Sequence, residues 1–166
     1  MTRIDHRLLL VTLALSALAL PACWQPMPAR PPGEPATYQT DILEQARTNA
    51  MYQRVLFTGA RMQLAVMSLP PGGDIGQHRH DTVEHVLFCA SGSGKVILNG
   101  VETAFEPGGM VAITAGTTHN IVNTGAGPLQ IYAVYAPPVN LPGRVWATKA
   151  NAEADVVNET FDRNVR

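Results

Sequence analysis

The sequence has 166 residues, which is enough chain for one domain and leaves little for a second. A net charge of −1 with 15% charged residues gives no basic field that would attract nucleic acid, so we expect no nucleic-acid partner. The 14 glycines and 13 prolines indicate many turns and few long helices.

The first 22 residues have the composition of an export signal. Arg3 and Arg7 precede the apolar run "LLLVTLALSALALPA", which is short for a membrane-spanning helix, and the run ends at Cys23. The stretch "LPAC" resembles the lipobox of bacterial lipoproteins, which implies cleavage after Ala22 and lipidation of Cys23. An ordinary secretory signal cleaved near Ala22 is the alternative. We therefore expect residues 1–22 to be a signal peptide.

Residues 23–40 are rich in proline and lack apolar periodicity, which predicts an extended tether between a lipid anchor and the domain. Trp24 follows the cysteine where lipoproteins retained in the inner membrane tend to have aspartate. The resemblance therefore implies a protein of the cell envelope that is anchored by lipid in the outer membrane and faces the periplasm.

A domain over residues 41–150 is predicted to be all-β with a short N-terminal helix. Asp41 and Glu44 have capping-box spacing at the helix start, and Asn99-Gly100 marks a hairpin. Eight short β-branched or aromatic runs separated by turns predict a closed antiparallel sandwich or jelly roll. Residues 151–166 are polar and are predicted to form a surface tail that lies on the domain or frays. The eight runs are "RVLFTG", "MQLAVMSL", "HVLFCA", "KVILNG", "VETAFEP", "MVAIT", "HNIVN" and "LQIYAVYA".

Four of the five histidines follow the predicted signal, and three of these fall within "QHRHDTVEH". His78 and His80 are two residues apart, so in an extended chain both side chains point to one side. His85 begins an apolar run, and His119 follows the turn "AGTT". This clustering predicts a metal site in which imidazole nitrogens are the ligands.

The histidines also match the two motifs of the cupins, and the chain is identified as a member of that superfamily. Gly72 and five further residues precede His78 and His80, and a second motif joins Gly108, Gly116, His119 and Asn123, with Thr114 in place of its usual proline. Residues 55–152 resemble the small single-domain cupins related to mannose-6-phosphate isomerase. The resemblance implies a single cupin jelly-roll barrel with a bound metal.

The fourth ligand of this family is a glutamate, and two adjacent residues compete for its place. Glu84 lies at one allowed distance from His80, whereas His85 lies at the other and keeps the family's spacing to Gly92. Neighbours in a strand face opposite sides, so both can point inward only at a bulge. We predict His85 as the ligand, because a glycine turn fixes strand register, and keep Glu84 as the alternative.

Neutral imidazoles suit a divalent transition metal such as Fe, Mn, Zn, Ni or Cu. We name Gln77, Cys89, Tyr132 and Tyr135 as further candidates for the pocket. Two functions stay open: a metal-dependent enzyme of oxygenase or isomerase type acting on a small polar molecule, and a non-catalytic protein of the envelope that binds a metal or small ligand. Apolar residues on both faces of "HVLFCA" predict a homodimer.

Overall fold

The computed structural model describes residues 33, 35 and 37–165. The predicted signal peptide, the lipidation site Cys23 and most of the tether lie outside these residues. Within them the chain forms a barrel of short antiparallel strands with one helix before it and two after it. The elements are α1 (Ile42–Arg47), β1 (Gln53–Thr58), β2 (Gln63–Leu69), β3 (Glu84–Ser91), β4 (Gly94–Leu98), β5 (Val101–Phe105), β6 (Met110–Ile113), β7 (His119–Asn123), β8 (Leu129–Ala136), β9 (Val145–Trp146), α2 (Lys149–Glu153) and α3 (Val156–Val165).

The strands form two sheets, and all of their pairings are antiparallel. The six-stranded sheet has the order β6-β3-β8-β2-β1-β9, and the three-stranded sheet has the order β5-β4-β7. Side chains alternate between the core and the outside, as in β7, where His119, Ile121 and Asn123 are buried. This is the jelly-roll fold predicted from the sequence. All eight predicted runs are strands, and the two-residue β9 is the addition.

Two turns show why the strand boundaries were visible in the sequence. Asn99 and Gly100 have φ angles of 48° and 85°, as the two central residues of a tight hairpin require. Gly92 has a φ of 87° where the chain leaves β3, and a Cβ at this position would lie 2.8 Å from the Cα of Leu129. A side chain at Gly92 would therefore force β3 and β8 apart, so this glycine fixes where their pairing ends.

The N-terminal helix α1 begins where the capping pattern predicts. The Asp41 carboxylate accepts hydrogen bonds from the main-chain N–H groups of Leu43 and Glu44, each at 3.0 Å. The buried face of α1 packs Ala46 against Val66 and Ala90 on the outer side of the six-stranded sheet. The helix thus covers one end of the outer face, while the predicted ligand His85 lies on the inner face of the same sheet.

The C-terminal segment differs from the polar tail expected from the sequence, because most of it is helical and docked. Asp155 precedes α3 and its carboxylate accepts hydrogen bonds from the Asn158 N–H and the Trp146 indole N–H, at 3.0 and 3.1 Å. Asn158 in turn donates to the Asn140 side chain and accepts from the Leu141 N–H. Hydrogen bonds rather than apolar burial hold α3 on the barrel. Its polar composition is therefore that of an exposed tail. None of the helices among the described residues has the length and apolar character needed to cross a membrane.

Candidate metal centre

A cavity of about 220 Å³ opens at one end of the barrel, between the two sheets. Its wall contains all four histidines predicted as ligands, together with two tyrosines and several apolar side chains of the core. Three further wall residues, Ala152, Glu153 and Asp162, come from the helices that follow the barrel. The four predicted ligands therefore line a single cavity.

Three different parts of the chain deliver the histidines. His78 and His80 lie in the connection between β2 and β3, outside the named strands, where His78 forms an antiparallel bridge with His119. The two main-chain hydrogen bonds of that bridge are 3.0 and 2.9 Å long. His119 is the first residue of β7, and His85 is the second residue of β3, paired with Tyr135 of β8. Each sheet thus supplies one ligand position, and the connection supplies two.

The side chains of His78, His80 and His119 could hold a metal ion, since one nitrogen of each lies within 4.8 Å of the others. Nδ1 of His78 is 2.8 Å from the Gly76 carbonyl oxygen, and Nδ1 of His119 is 2.9 Å from that of Thr117. A carbonyl only accepts, so each Nδ1 carries the proton and each Nε2 keeps its lone pair. Backbone contacts therefore orient these two rings as metal ligands require.

His85 lies beside this group of three histidines but is not part of it. Its Nε2 is 3.1 Å from Nε2 of His119, and its ring centroid is 5.5 Å from that of His80. Two nitrogens bound at about 2.1 Å to one metal, at right angles, are separated by about 3.0 Å. The 3.1 Å contact between His85 and His119 is a hydrogen bond between the two rings, and its length is also close to the spacing of neighbouring ligands on one metal. Nδ1 of His85 has no hydrogen-bond partner in the described part of the chain.

Electrostatics keep these rings in the form that binds metals. Burial, followed by the proximity of the other histidines, lowers the pKa of His85 to about 3. Burial also lowers the pKa of His119, although the hydrogen bond with Thr117 opposes this. Both imidazoles are therefore neutral at neutral pH, so neither ring has to release a net proton when it binds a cation.

The competing residue Glu84 takes the opposite side of β3. Its side chain is exposed, whereas His85 is only 4% exposed and contacts the ring of Tyr135. The register of β3 against β8 is regular from Glu84 to Cys89, so there is no bulge that would turn both residues inward. In the structure, His85 therefore faces the cavity and Glu84 faces away from it.

Of the further pocket candidates, only Tyr135 lines the cavity. Burial raises the pKa of its hydroxyl, so the group stays protonated. Gln77 is exposed, and Tyr132 is stacked on Phe88 at the outer face of the sheet. Cys89 is buried and does not line the cavity, and burial raises the pKa of its thiol to about 11, as expected of a small core residue.

Sequence reasoning missed five polar residues in the wall: Tyr52, Gln53, Asn140, Glu153 and Asp162. Of these, Asp162 has its Oδ1 3.8 Å from Nδ1 of His80. Asp155, Asn158 and Asp162 have the spacing of one helix face, but such polar residues are equally common in exposed tails, so the spacing alone does not point to a cavity.

Comparisons with known proteins agree with this geometry. The family profile for the cupin domain matches residues 65–135. The Bacillus subtilis protein YrkC, whose function is uncharacterised, is 35% identical over 127 residues, covering 72% of this chain and 68% of that protein. The crystal structure of BH2720 from Bacillus halodurans superposes with a TM-score of 0.71 at 32% identity, covering 76% of this chain and 99% of that one.

A further relative has a name that refers to a ligand. The oxalate-binding protein of Thermotoga maritima is 33% identical over 70 residues, which is 42% of this chain and 58% of that protein. The matched region of the family profile runs from β2 to β8 and contains all four histidines of the cavity. With its jelly-roll barrel, its histidine-lined cavity and these relatives, the chain belongs to the cupins.

Proposed function

We propose that this cupin binds a divalent transition metal through His78, His80, His85 and His119 and presents it to a small polar molecule in the cavity. The observation that carries the proposal is the meeting of four imidazoles in one small cavity, two of them with Nδ1 fixed by main-chain carbonyls. Imidazole ligands suit Fe, Mn, Zn, Ni or Cu, whereas Mg²⁺ and Ca²⁺ prefer oxygen.

The chemistry that fits this cavity best is that of a metal-dependent enzyme of oxygenase or isomerase type. A bound divalent metal supplies Lewis-acid polarisation of an oxygen-containing ligand. The hydroxyls of Tyr52 and Tyr135 remain protonated because burial raises the pKa of each, so they can donate hydrogen bonds to a ligand. Leu87 and Val139 contribute apolar wall, which limits the water that reaches the site.

A second candidate, a non-catalytic binding protein, is favoured by the relative that is named for binding oxalate. No Lys or Arg is present among the described residues of the cavity wall, so a metal would be the cation that attracts an anionic ligand there. In this case the cavity would hold a small carboxylate against the metal without turning it over.

Both candidate functions require a bound metal, which metal analysis of protein purified without a histidine tag would test. We expect about one equivalent of a divalent transition metal, and less than a tenth of an equivalent in a His78→Ala/His119→Ala double variant. Wild-type protein that stays metal-free after incubation with Zn²⁺, Mn²⁺ and Fe²⁺ would contradict the proposal. Oxygen uptake or turnover in a screen of small hydroxy acids and sugars would favour the enzyme. Saturable oxalate binding without turnover would favour the binding protein.

We also propose that Cys23 anchors the protein in the envelope, on the basis of the "LPAC" stretch. Two or more acyl chains on this cysteine would give stable anchoring, with the outer membrane as the expected location. Globomycin treatment, or Cys23→Ser, should accumulate a larger precursor. A product of unchanged size, released to the periplasm under both conditions, would exclude lipidation.

The domain is further proposed to form a homodimer through the outer face of the six-stranded sheet. Met110 on this face is 57% exposed, and Val86, Phe88 and Val134 are only partly covered. Light scattering of the delipidated domain at tens of micromolar should give twice the mass of one chain. A Phe88→Glu variant should run as a monomer, and a monomeric wild type would disprove the dimer.

A further inference from the structure

Three histidines could hold a metal, and their Nδ1 atoms have different neighbours. For His78 and His119, Nδ1 lies within 3 Å of a carbonyl two residues earlier, so their own loops fix them. For His80, the neighbouring group at Nδ1 is a carboxylate from a distant helix, that of Asp162 at 3.8 Å. Both side chains are largely buried, with 8% and 13% of their surfaces exposed.

We propose that Asp162 is a positioning residue of this site: its carboxylate holds the His80 ring with the proton on Nδ1 and leaves Nε2 as the metal-binding nitrogen. The inference rests on the metal-binding function proposed above. A histidine that binds a metal through one ring nitrogen usually donates a hydrogen bond from the N–H of the other nitrogen to a carbonyl or a carboxylate. This fixes the tautomer and makes the metal-binding nitrogen more basic. A movement of about 1 Å brings the carboxylate to ordinary hydrogen-bond distance.

The docking of α3 supports this role because a chain of polar contacts links the helix to the barrel. Gln63 of β2 is fully buried and accepts hydrogen bonds from the main-chain and side-chain nitrogens of Asn140. Asn140 accepts a hydrogen bond from Asn158, which lies one helical turn before Asp162. Residues four apart lie on the same face of a helix. The contact that fixes α3 therefore also turns Asp162 towards the cavity.

The charge of Asp162 is also suited to this position. The four imidazoles carry no negative charge, so a divalent cation bound to them would keep its full charge next to largely buried side chains. One buried carboxylate next to a ligand lowers this cost. Glu153 also lines the cavity, but its side chain is 66% exposed and it makes an ion pair with Lys149. Asp162 is therefore the carboxylate that stabilises the metal most directly.

The test compares two carboxylate-to-amide changes on the same helix, Asp162→Asn and Glu159→Gln. Glu159 is exposed and pairs only with Arg163 of its own helix in the described contacts, so it is a matched control. Competition titrations with Zn²⁺, and the visible spectrum of the Co²⁺ form, should show metal affinity reduced by about 10- to 100-fold in Asp162→Asn. Glu159→Gln should stay within about twofold of wild type, and Asp162→Glu should recover part of the loss.

A second measurement determines which nitrogen of the His80 ring carries the proton in the absence of metal. In metal-free wild-type protein, long-range ¹⁵N spectra should show the proton on Nδ1 of His80. In Asp162→Asn the two tautomers should mix, since an amide can donate as well as accept. Unchanged tautomers, or unchanged metal affinity, in Asp162→Asn overturns the inference. If the wild type binds no metal, the proposed function fails, and the tautomer measurement alone decides whether Asp162 positions His80.

Discussion

His85→Ala should lose the metal, whereas Glu84→Ala should keep it. His85 is buried with its Nε2 3.1 Å from that of His119, and Glu84 points to solvent on the opposite side of β3. Loss of groups that merely support a ligand costs about 10- to 100-fold in metal affinity, so the loss of a ligand itself should cost at least about 100-fold. Removing an exposed carboxylate should change affinity by less than about twofold.

The comparison requires metal content, Zn²⁺ affinity and the rise in unfolding temperature on adding metal for both variants. His119→Ala is the positive control, because this ring belongs to the group of three under either assignment of the fourth ligand. Near-ultraviolet circular dichroism would verify that His85→Ala keeps its tertiary structure. Loss of metal from Glu84→Ala together with its retention by His85→Ala would reverse the assignment.

Gln63→Ala should be among the most destabilising single changes in the domain. The Gln63 amide donates to the Thr58 hydroxyl and the Asn140 carbonyl at 2.9 and 2.7 Å, and accepts from the Asn140 main chain at 3.0 Å. All three residues are buried, and an unsatisfied buried polar group costs about 1–3 kcal/mol. With several groups unpaired, we expect a loss of roughly 3 kcal/mol or more, or a fall of about 6–12 °C in Tm.

Gln45→Ala is the control for this measurement. Gln45 lies on α1, and its side-chain oxygen accepts a hydrogen bond from Arg54 at 2.7 Å near the surface. Alanine favours the helix, so the free energy of unfolding should change by less than about 1 kcal/mol. Thermal unfolding of the metal-free proteins measures both changes. Equal melting temperatures for the two variants would mean that the buried amide network contributes little to stability.

The strands were predictable because each depends on local signals. Turn glycines such as Gly92, and the Asn99-Gly100 pair, require backbone conformations that few other residues adopt, and they bound the apolar runs on both sides. The register that follows from Gly92 also predicted that His85 rather than Glu84 faces inward. The same few turn glycines therefore determine both where a strand ends and which of its side chains face inward.

The C-terminal wall of the cavity was not predictable in the same way. Residues that dock α3 are Asp155 and Asn158, which are also common in exposed tails, and their partners Asn140 and Trp146 precede the helix in a loop and a two-residue strand. The docking depends on contacts between polar groups that are distant in the sequence. Such contacts leave no apolar periodicity from which the helix could be predicted. The sequence pattern around Asp162 therefore predicts a solvated tail.

The bridge between His78 and His119 has a consequence for the order of folding. It joins residues 41 positions apart, and the same metal would also engage β3 of the other sheet through His85. Closing a loop of this length costs entropy before any contact within the site is gained. A short peptide containing only "QHRHDTVEH" should therefore bind metal weakly. A metal bound by these histidines would be captured tightly only after the two sheets close, and it would then slow unfolding as a late crosslink between them.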